Sequence, residues 1–327
     1  MNSQNSAAFE LNEERVHTTF GHVKVSIYGE ASSQKHPIVT FHDIGMDSEA
    51  TFQNFFRFES AATFLKKFTI YNINAPGQES DAQPLPENHT YPSLDELVHL
   101  VGYIVNHYGF KSFIGLGVGA GANILLRYAL KQPERVDALI LVNANIGRSG
   151  WIEWGYEKIH LHSLHKSEMN KATVEYLTWH NLGKHLDDYK PSLVQEYRNY
   201  FQNHPNPRNL AAFIEAYLDR SEVVLHDPNA QSPYLLGNIP VLQLVGAESS
   251  FVDDVVHVNT KLNPEYSNWV KVADSCALVL VEKPEPVTEA IMLFLQGAGY
   301  LSTVDVHKVM RKLSLERSGS PEPPPYK

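Results

Sequence analysis

The sequence contains a single cysteine, Cys276, among its 327 residues. One thiol closes no intramolecular disulfide and forms no thiolate zinc site, which is typical of a protein from a reducing compartment. The opening residues, Met-Asn-Ser-Gln-Asn-Ser, lack the basic and apolar stretches of a secretory signal peptide. We therefore expect a cytoplasmic location.

Long hydrophobic runs and positive charge are also scarce. The longest apolar runs, residues 138–142 and 276–281, are far shorter than the ~20 residues that span a membrane. Lys and Arg number 27 against 37 Asp and Glu, which gives a formal net charge of −10, and an acidic surface repels phosphate backbones. The composition argues against an integral membrane protein and against nucleic acid as a main partner.

Hydrophobic residues make up 43% of the chain, and strand patterns alternate with helical patterns along most of it. Strands joined by helices indicate parallel pairing through crossover connections. The fold class is therefore α/β, with a mostly parallel central sheet and helices on both faces. We predict an N-terminal arm (1–14), a core (15–146 and 237–297), a helical cap (147–236) and a largely disordered C-terminal tail (298–327).

A glycine-rich turn, Gly117-Val118-Gly119-Ala120-Gly121, joins a buried strand to a helix and permits two interpretations. The first is the dinucleotide fingerprint G-x-G-x-x-A, which also needs an acidic residue at the end of the next strand. That strand ends in Val142-Asn143, so this interpretation is weakly supported. The second is the nucleophile elbow G-x-S-x-G, in which a tight turn presents a serine. Here the nucleophile position is Gly119, which has no side chain.

The neighbouring loops favour the elbow. The loop His42-Asp43-Ile44-Gly45 follows an early strand, where a hydrolase of this type places its oxyanion loop. Residues 74–79 are similar to a diverged D-x-P-G-x-G motif, and the cap lies at the position expected for that fold. Residues 15–297 therefore resemble the α/β-hydrolase fold with a helical cap insertion.

The two other positions of a catalytic triad are vacant as well. A strand that ends at Gly246 predicts the acid three residues later, at Ser249. Counting back from Glu282-Lys283-Pro284-Glu285 places the histidine position at Ala277. Acyl transfer needs a nucleophile in contact with its base. With Gly119, Ser249 and Ala277 at the three positions, the sequence predicts no hydrolase activity and no catalytic residue.

Longer motifs are similar to those of the N-myc downstream-regulated (NDRG) family, and the similarity covers most of the chain. They are Tyr91-Pro92-Ser93-Leu94-Asp95-Glu96-Leu97, Gly115 to Leu125, Leu193 to Arg198, Asn209 to Tyr217, and Ala273-Asp274-Ser275-Cys276. The resemblance implies a hydrolase fold without the triad, and a non-enzymatic, mostly cytoplasmic protein of signalling, stress response, differentiation or trafficking. We expect protein partners, a lipid headgroup or small ligand in the vestigial cleft, and no cofactor or metal.

Some features permit an alternative. The vestigial oxyanion loop, with His42, Asp43 and Gly45, either fixes its own turn by hydrogen bonds, which we favour, or contributes to an enzyme with a displaced active site under the cap. That enzyme would use His42 or a cap histidine. The cluster His160-x-His162-x-x-His165 is interpreted as a polar surface rather than a metal site. With 16 histidines in the chain, such clusters arise by chance.

The C-terminal tail carries two patterns. Arg311-Lys312-Leu313-Ser314 matches the R-x-x-S motif of basophilic kinases and makes Ser314 a candidate phosphorylation site. Tails of NDRG members are often phosphorylated by such kinases, although this tail lacks long Ser/Thr repeats. In residues 304–315, four apolar side chains at helical spacing predict a short amphipathic helix that docks on the body of the protein. These are Val306, Val309, Met310 and Leu313.

Overall fold

The computed structural model describes residues 11–30, 35–58, 62–86, 88–149, 164, 169–183 and 190–301. The predictions for the first ten residues, for the cluster His160, His162 and His165, and for the tail from residue 302 onwards, Ser314 included, lie outside these ranges.

A single sheet of eight strands forms the centre of the described fold. In sheet order, the strands are β1 (Leu11–Thr18), β2 (Gly21–Tyr28), β4 (Phe68–Ile73), β3 (His36–Phe41), β5 (Phe113–Val118), β6 (Val136–Val142), β7 (Val241–Gly246) and β8 (Ser267–Val272). The pairs β1–β2 and β2–β4 are antiparallel and all others are parallel. The predicted α/β class with a mostly parallel sheet is confirmed.

Helices occupy the connections between the strands, and two more follow the last strand. They are α1 (Asn54–Arg57, after a π-helical turn at Glu49–Gln53), α2 (Ala62–Lys67), α3 (Leu94–His107), α4 (Ala120–Lys131), α5 (Lys171–Leu182), α6 (Pro191–Gln202), α7 (Pro207–Leu218), α8 (Val252–Lys261), α9 (Val279–Glu282) and α10 (Pro284–Gly297). Within the described ranges, none has both the length and the apolar character to cross a membrane.

Side chains of the central strands point alternately into two buried layers. In β6, Leu139 and Leu141 belong to the layer that contains α3 and α4. Ile140 and Val142 belong to the layer that contains α1, α2 and α10. Because both faces are covered, the inner strands read as continuous hydrophobic runs rather than alternating ones.

Several element boundaries follow from local chemistry that the sequence displays. Ser93 caps α3, with its hydroxyl accepting from the Glu96 backbone N–H while the Glu96 carboxylate accepts from the Ser93 N–H, the predicted capping box. The first strand, in contrast, begins at Leu11 and not at the predicted Arg15. Residues 11–14 pair with β2 through their backbones, and their exposed side chains carry no alternating pattern.

The helices between β6 and β7 are held against the loops that follow β3 and β4. The Asn209 side chain of α7 donates to the carbonyls of Gly77 and Gln83 and accepts from the Leu85 N–H. A Cβ atom on Gly45 would lie only 2.8 Å from Leu177 of α5. These helices therefore pack closely on the carboxyl edge of the parallel strands.

Candidate functional site

Gly119 forms the turn between β5 and α4, with φ 50° and ψ −110°. Its N–H donates to the Val142 carbonyl over 2.9 Å. The turn is tight on both sides, because a Cβ on Gly121 would lie 2.1 Å from the Phe41 carbonyl oxygen, and one on Gly117 would lie 2.6 Å from the Ala122 backbone. Only glycine permits these approaches.

Strand register places Asp43 beside this turn. Phe41, the last residue of β3, is the partner of Gly117 in β5, so the residues that follow the two strands meet at the same edge. The Asp43 carboxylate is buried there, and its Oδ1 accepts from the backbone N–H groups of Ile44 and Ala120, both over 2.8 Å. The amide at the N-terminus of α4 is thus already bonded to an anion, and a dinucleotide phosphate would have to displace it.

The same carboxylate fills the space that a side chain at position 119 would need. A Cβ built on Gly119 would lie 2.0 Å from Asp43 Oδ2 and 2.3 Å from Oδ1. Real Cβ atoms do not approach oxygen so closely, so a serine at this position and the observed Asp43 exclude one another.

The second carboxylate oxygen is bonded from the helices above the sheet. His180 of α5 donates from Nε2 to Asp43 Oδ2 over 2.9 Å, and both side chains are buried. The imidazole is enclosed by the rings of Tyr176, Tyr217 and Phe251, with centroids 6.0, 5.6 and 5.0 Å away. His180 Nδ1 has no hydrogen-bond partner among the described residues. The Asp43–His180 pair therefore ties α5 to the Gly119 turn.

His42 bonds only to the main chain of its surroundings. Its Nε2 accepts from the Ala75 N–H over 2.9 Å, so the proton is on Nδ1, which donates to the Asp43 carbonyl over 2.8 Å. Burial lowers the pKa of His42 and keeps the ring neutral. The sequence permitted a catalytic role for His42. In the structure, both ring nitrogens are hydrogen-bonded to the backbone, so neither is available to a substrate.

Gly45 lies where the helices between β6 and β7 pack on the loop after β3. Gly45 has φ 80°, and Leu177 and Phe201 of the overlying helices press against it. The vestigial oxyanion loop predicted from the sequence is thus a buried turn, with Asp43 directed at Gly119 and Gly45 directed at the helices.

Ser249 and Ala277 are brought together by Asn143. The Ser249 hydroxyl donates to Asn143 Oδ1 over 3.2 Å and accepts from the Phe251 N–H. Asn143 Nδ2 donates to the Ala277 carbonyl over 2.8 Å. Asn143 follows β6 with φ 52°, a left-handed conformation that asparagine tolerates better than most residues. One amide therefore links the loops after β7 and β8 to the end of β6.

A small cavity remains between Asp43 and this network. It is lined by residues that include Val118, Asn143, Ala277 and Leu280, and its volume is about 20 Å³. That volume holds about one water molecule. The residues that the structure describes leave no room at this point for a lipid headgroup.

Cys276, next to Ala277, is a buried free thiol. Its Sγ accepts from the Leu278 N–H, and burial together with the nearby Glu282 raises the pKa of the thiol. It stays protonated at neutral pH and is a poor nucleophile. Among the described side chains, no group of three His, Cys, Asp or Glu is placed to hold a metal ion.

Two residues of this site, His180 and Asn143, have no sequence motif that identifies them. His180 is 137 residues away from its partner and lies in a helix whose buried residues face several directions. The sequence offers only an indirect signal for this site. Gly119 at the nucleophile position leaves space for another side chain, and Asp43 follows β3, the strand that pairs with β5.

The fold is that of the α/β hydrolases. A thermophilic esterase from Thermogutta terrifontis superposes with a TM-score of 0.68 at 16% identity, covering 88% of this chain and 99% of the esterase. MenH from S. aureus superposes with a TM-score of 0.65 at 18% identity, covering 84% and 98%. In this fold, the N–H after the nucleophile and one from the loop after β3 form the oxyanion hole. In this chain, the Ala120 and Ile44 N–H groups bond Asp43.

Sequence relatives carry the assignment further. Protein NDRG2 of Danio rerio is 31% identical over 308 residues, which are 94% of this chain and 80% of the relative. Protein NDRG1-B of Xenopus laevis is 33% identical over 308 residues, 94% of this chain and 75% of the relative. The sequence profile of the Ndr family matches residues 13–302. The chain therefore belongs to the Ndr family, as the motifs of its sequence indicate.

Proposed function

We propose that this protein is a non-catalytic member of the α/β-hydrolase fold that acts through contacts with other proteins. The observation that carries the proposal is the position of Asp43. Its carboxylate accepts from the Ile44 and Ala120 N–H groups and occupies the volume of a side chain at position 119. An anion built into the protein holds the amides that a hydrolase uses for the oxyanion of its transition state.

The three triad positions support the same conclusion. Gly119 lacks a nucleophile, Ser249 lacks a carboxylate, and Ala277 lacks an imidazole. Ser249 and Ala277 are joined instead through Asn143 by neutral hydrogen bonds. A neutral amide offers no proton acceptor of suitable pKa for acyl transfer.

The site of action is the outer surface rather than the old cleft. The cavity of about 20 Å³ beside Asp43 argues against a small ligand or lipid headgroup at this position. We place the protein in the cytoplasm, in signalling, stress response, differentiation or trafficking, as the Ndr family resemblance implies. Imaging of a tagged full-length chain in cells, with proximity labelling of its neighbours, tests this location and the class of partner.

The absence of catalysis is tested with full-length wild-type protein, a fluorophosphonate probe and a panel of esters. We expect labelling and turnover no higher than in a heat-inactivated sample, with a known serine esterase as positive control. A Ser249→Ala variant separates labelling in this site from that of a contaminant. Turnover that co-purifies with the wild-type chain and disappears in a site variant would overturn the proposal.

We also propose phosphorylation of Ser314 by a basophilic kinase, with ATP as the phosphoryl donor. Arg311 lies three residues before Ser314, and an arginine at this spacing is what such a kinase recognises. Incubation of the full chain with such a kinase should add phosphate that is lost in Ser314→Ala and strongly reduced in Arg311→Ala. Equal incorporation in wild type and Ser314→Ala would show that another residue is modified.

A further inference from the structure

An open groove lies between α10 and the edge strand β8, far from the Gly119 turn. Its volume is about 840 Å³, and its lining includes Tyr266, just before β8, Val270 of β8, and Ala290, Leu293 and Phe294 of α10. Leu293 is 44% exposed and Val270 is 37% exposed. A recess of this size with exposed apolar side chains is typical of a binding surface.

The two edges of the sheet differ in how they meet solvent. At the β1 edge, residues 12–15 are exposed and polar, a composition that discourages pairing. At the other edge, β8 pairs with β7 alone among the described strands, and it exposes Trp269 and Val270. The groove therefore adjoins the less protected edge.

The groove also has a charge of one sign. Its charged lining residues are Glu265 and Glu289. An occupant with basic side chains around an apolar stripe would complement both its apolar surface and its carboxylates.

The chain passes one end of this groove and then turns towards β6, where the Tyr300 hydroxyl donates to the Asp137 carbonyl. Gly297 and Ala298 line it at the end of α10, and the structure describes the chain as far as Leu301. Residues 304–315 carry the apolar stripe of Val306, Val309, Met310 and Leu313 together with three cations, Lys308, Arg311 and Lys312. As a helix this segment would be about 18 Å long, which equals the length of Pro286–Gly297 within α10 at about 1.5 Å per residue.

We propose that residues 304–315 bind in the groove between α10 and β8, with the apolar stripe against Leu293 and Phe294 and with Arg311 and Lys312 near Glu265 and Glu289. The short connection from Leu301 gives the segment an effective concentration of the order of millimolar. A second copy of the chain is the poorer occupant, because paired grooves would bring like charges together.

The test uses cysteine cross-linking in the full chain. The native Cys276 is buried and serves as the unreactive background. Leu293→Cys combined with Met310→Cys is treated with a short bismaleimide at low protein concentration. The matched control is Tyr103→Cys with Met310→Cys, because Tyr103 is 39% exposed and lies on α3, in the opposite layer.

We expect an intramolecular cross-link whose yield exceeds that of the control by about tenfold or more, since docking holds the two thiols together. Glu265→Lys with Glu289→Lys should lower the yield about two- to fivefold, and Arg311→Glu with Lys312→Glu should restore it. Equal yields for Leu293 and Tyr103, or cross-links only between chains, would overturn the proposal.

Hydrogen exchange on the otherwise unmodified chain gives an independent readout. Val309→Asp with Met310→Asp should expel the segment and accelerate exchange in peptides that cover β8 and α10. Lys308 would lie on the face of this helix opposite the apolar stripe, so Lys308→Gln should leave that exchange close to wild type. Unchanged exchange in the Val309→Asp, Met310→Asp variant would contradict docking.

Discussion

His180 Nε2 lies 2.9 Å from Asp43 Oδ2, although 137 residues separate the two positions in the chain. The pair joins α5, which lies between β6 and β7 in the chain, to the turn that begins α4. The other carboxylate oxygen accepts from the N–H groups of Ile44, which lies in the same loop as Asp43, and of Ala120, the first residue of α4. One buried carboxylate therefore holds three parts of the fold in a fixed arrangement.

Replacement of His180 should destabilise the protein strongly. His180→Ala leaves the Asp43 carboxylate buried without its side-chain donor, and breaking a buried pair costs about 3–5 kcal/mol in the free energy of unfolding. Urea denaturation of His180→Ala, Asp43→Asn and the double variant measures the coupling. The control is His99→Ala, an exposed position on α3, where we expect less than about 0.5 kcal/mol. Additive effects of the two site variants would contradict the pairing.

A side chain at position 119 should be tolerated only when Asp43 is shortened. Gly119→Ala places a methyl group 2.0 Å from Asp43 Oδ2 and gives alanine a positive φ, so we expect a loss of about 2–5 kcal/mol. In an Asp43→Gly background, Gly119→Ala should cost less than it does in the wild type, because the clash is gone and only the backbone strain remains. Gly297→Ala is the control, because nothing lies within 4 Å of a Cβ there. If Gly119→Ala lowers the free energy of unfolding equally in the wild-type and Asp43→Gly backgrounds, backbone strain alone determines its effect at this turn.

Local patterns in the sequence predicted much of the fold. Residues 136–142 and 241–246 form strands as their apolar runs predict, and Ser93 with Glu96 starts α3 as a capping box predicts. These features depend on neighbours within a few residues, so periodicity and capping chemistry identify them. Helices α6 and α7 begin two residues earlier than the periodic pattern, each at a proline suited to a first helical position.

The candidate site was predictable only at its glycines. The spacing of Gly117, Gly119 and Gly121 identified a tight turn, but the role of Asp43 depends on the register between β3 and β5. His180 depends on how α5 packs over that edge. A single sequence shows neither the register of two strands nor a contact between residues that are 137 positions apart. Only the structure therefore shows that Asp43 and His180 fill the site.

Acid should destabilise the protein through His42, which is buried, and His204, which is partly buried. Burial lowers the pKa of His42, and it lowers that of His204 to about 4, so both rings are neutral when folded and protonate more readily when unfolded. Their stabilisation is complete above about pH 6.5 and is lost as the pH falls towards the folded pKa, by about 1.4 kcal/mol per pH unit for each histidine. Urea denaturation from pH 7 to 4.5 should show this slope, and His204→Gln should reduce it. A His204→Gln profile parallel to wild type would contradict the assignment.

Replacement of Asn143 should lower the free energy of unfolding for two reasons. The residue adopts a left-handed backbone conformation, and its amide forms two hydrogen bonds. Asn143→Ala removes the bonds to Ser249 and Ala277 and leaves alanine at φ 52°, so we expect a loss of about 2–4 kcal/mol in unfolding free energy. Asn143→Gly removes the same bonds without the strain and should lose about 1 kcal/mol less. Asn143→Asp keeps the size but cannot donate to the Ala277 carbonyl. If Asn143→Asp were as stable as wild type, the amide would not be what links the loops after β7 and β8.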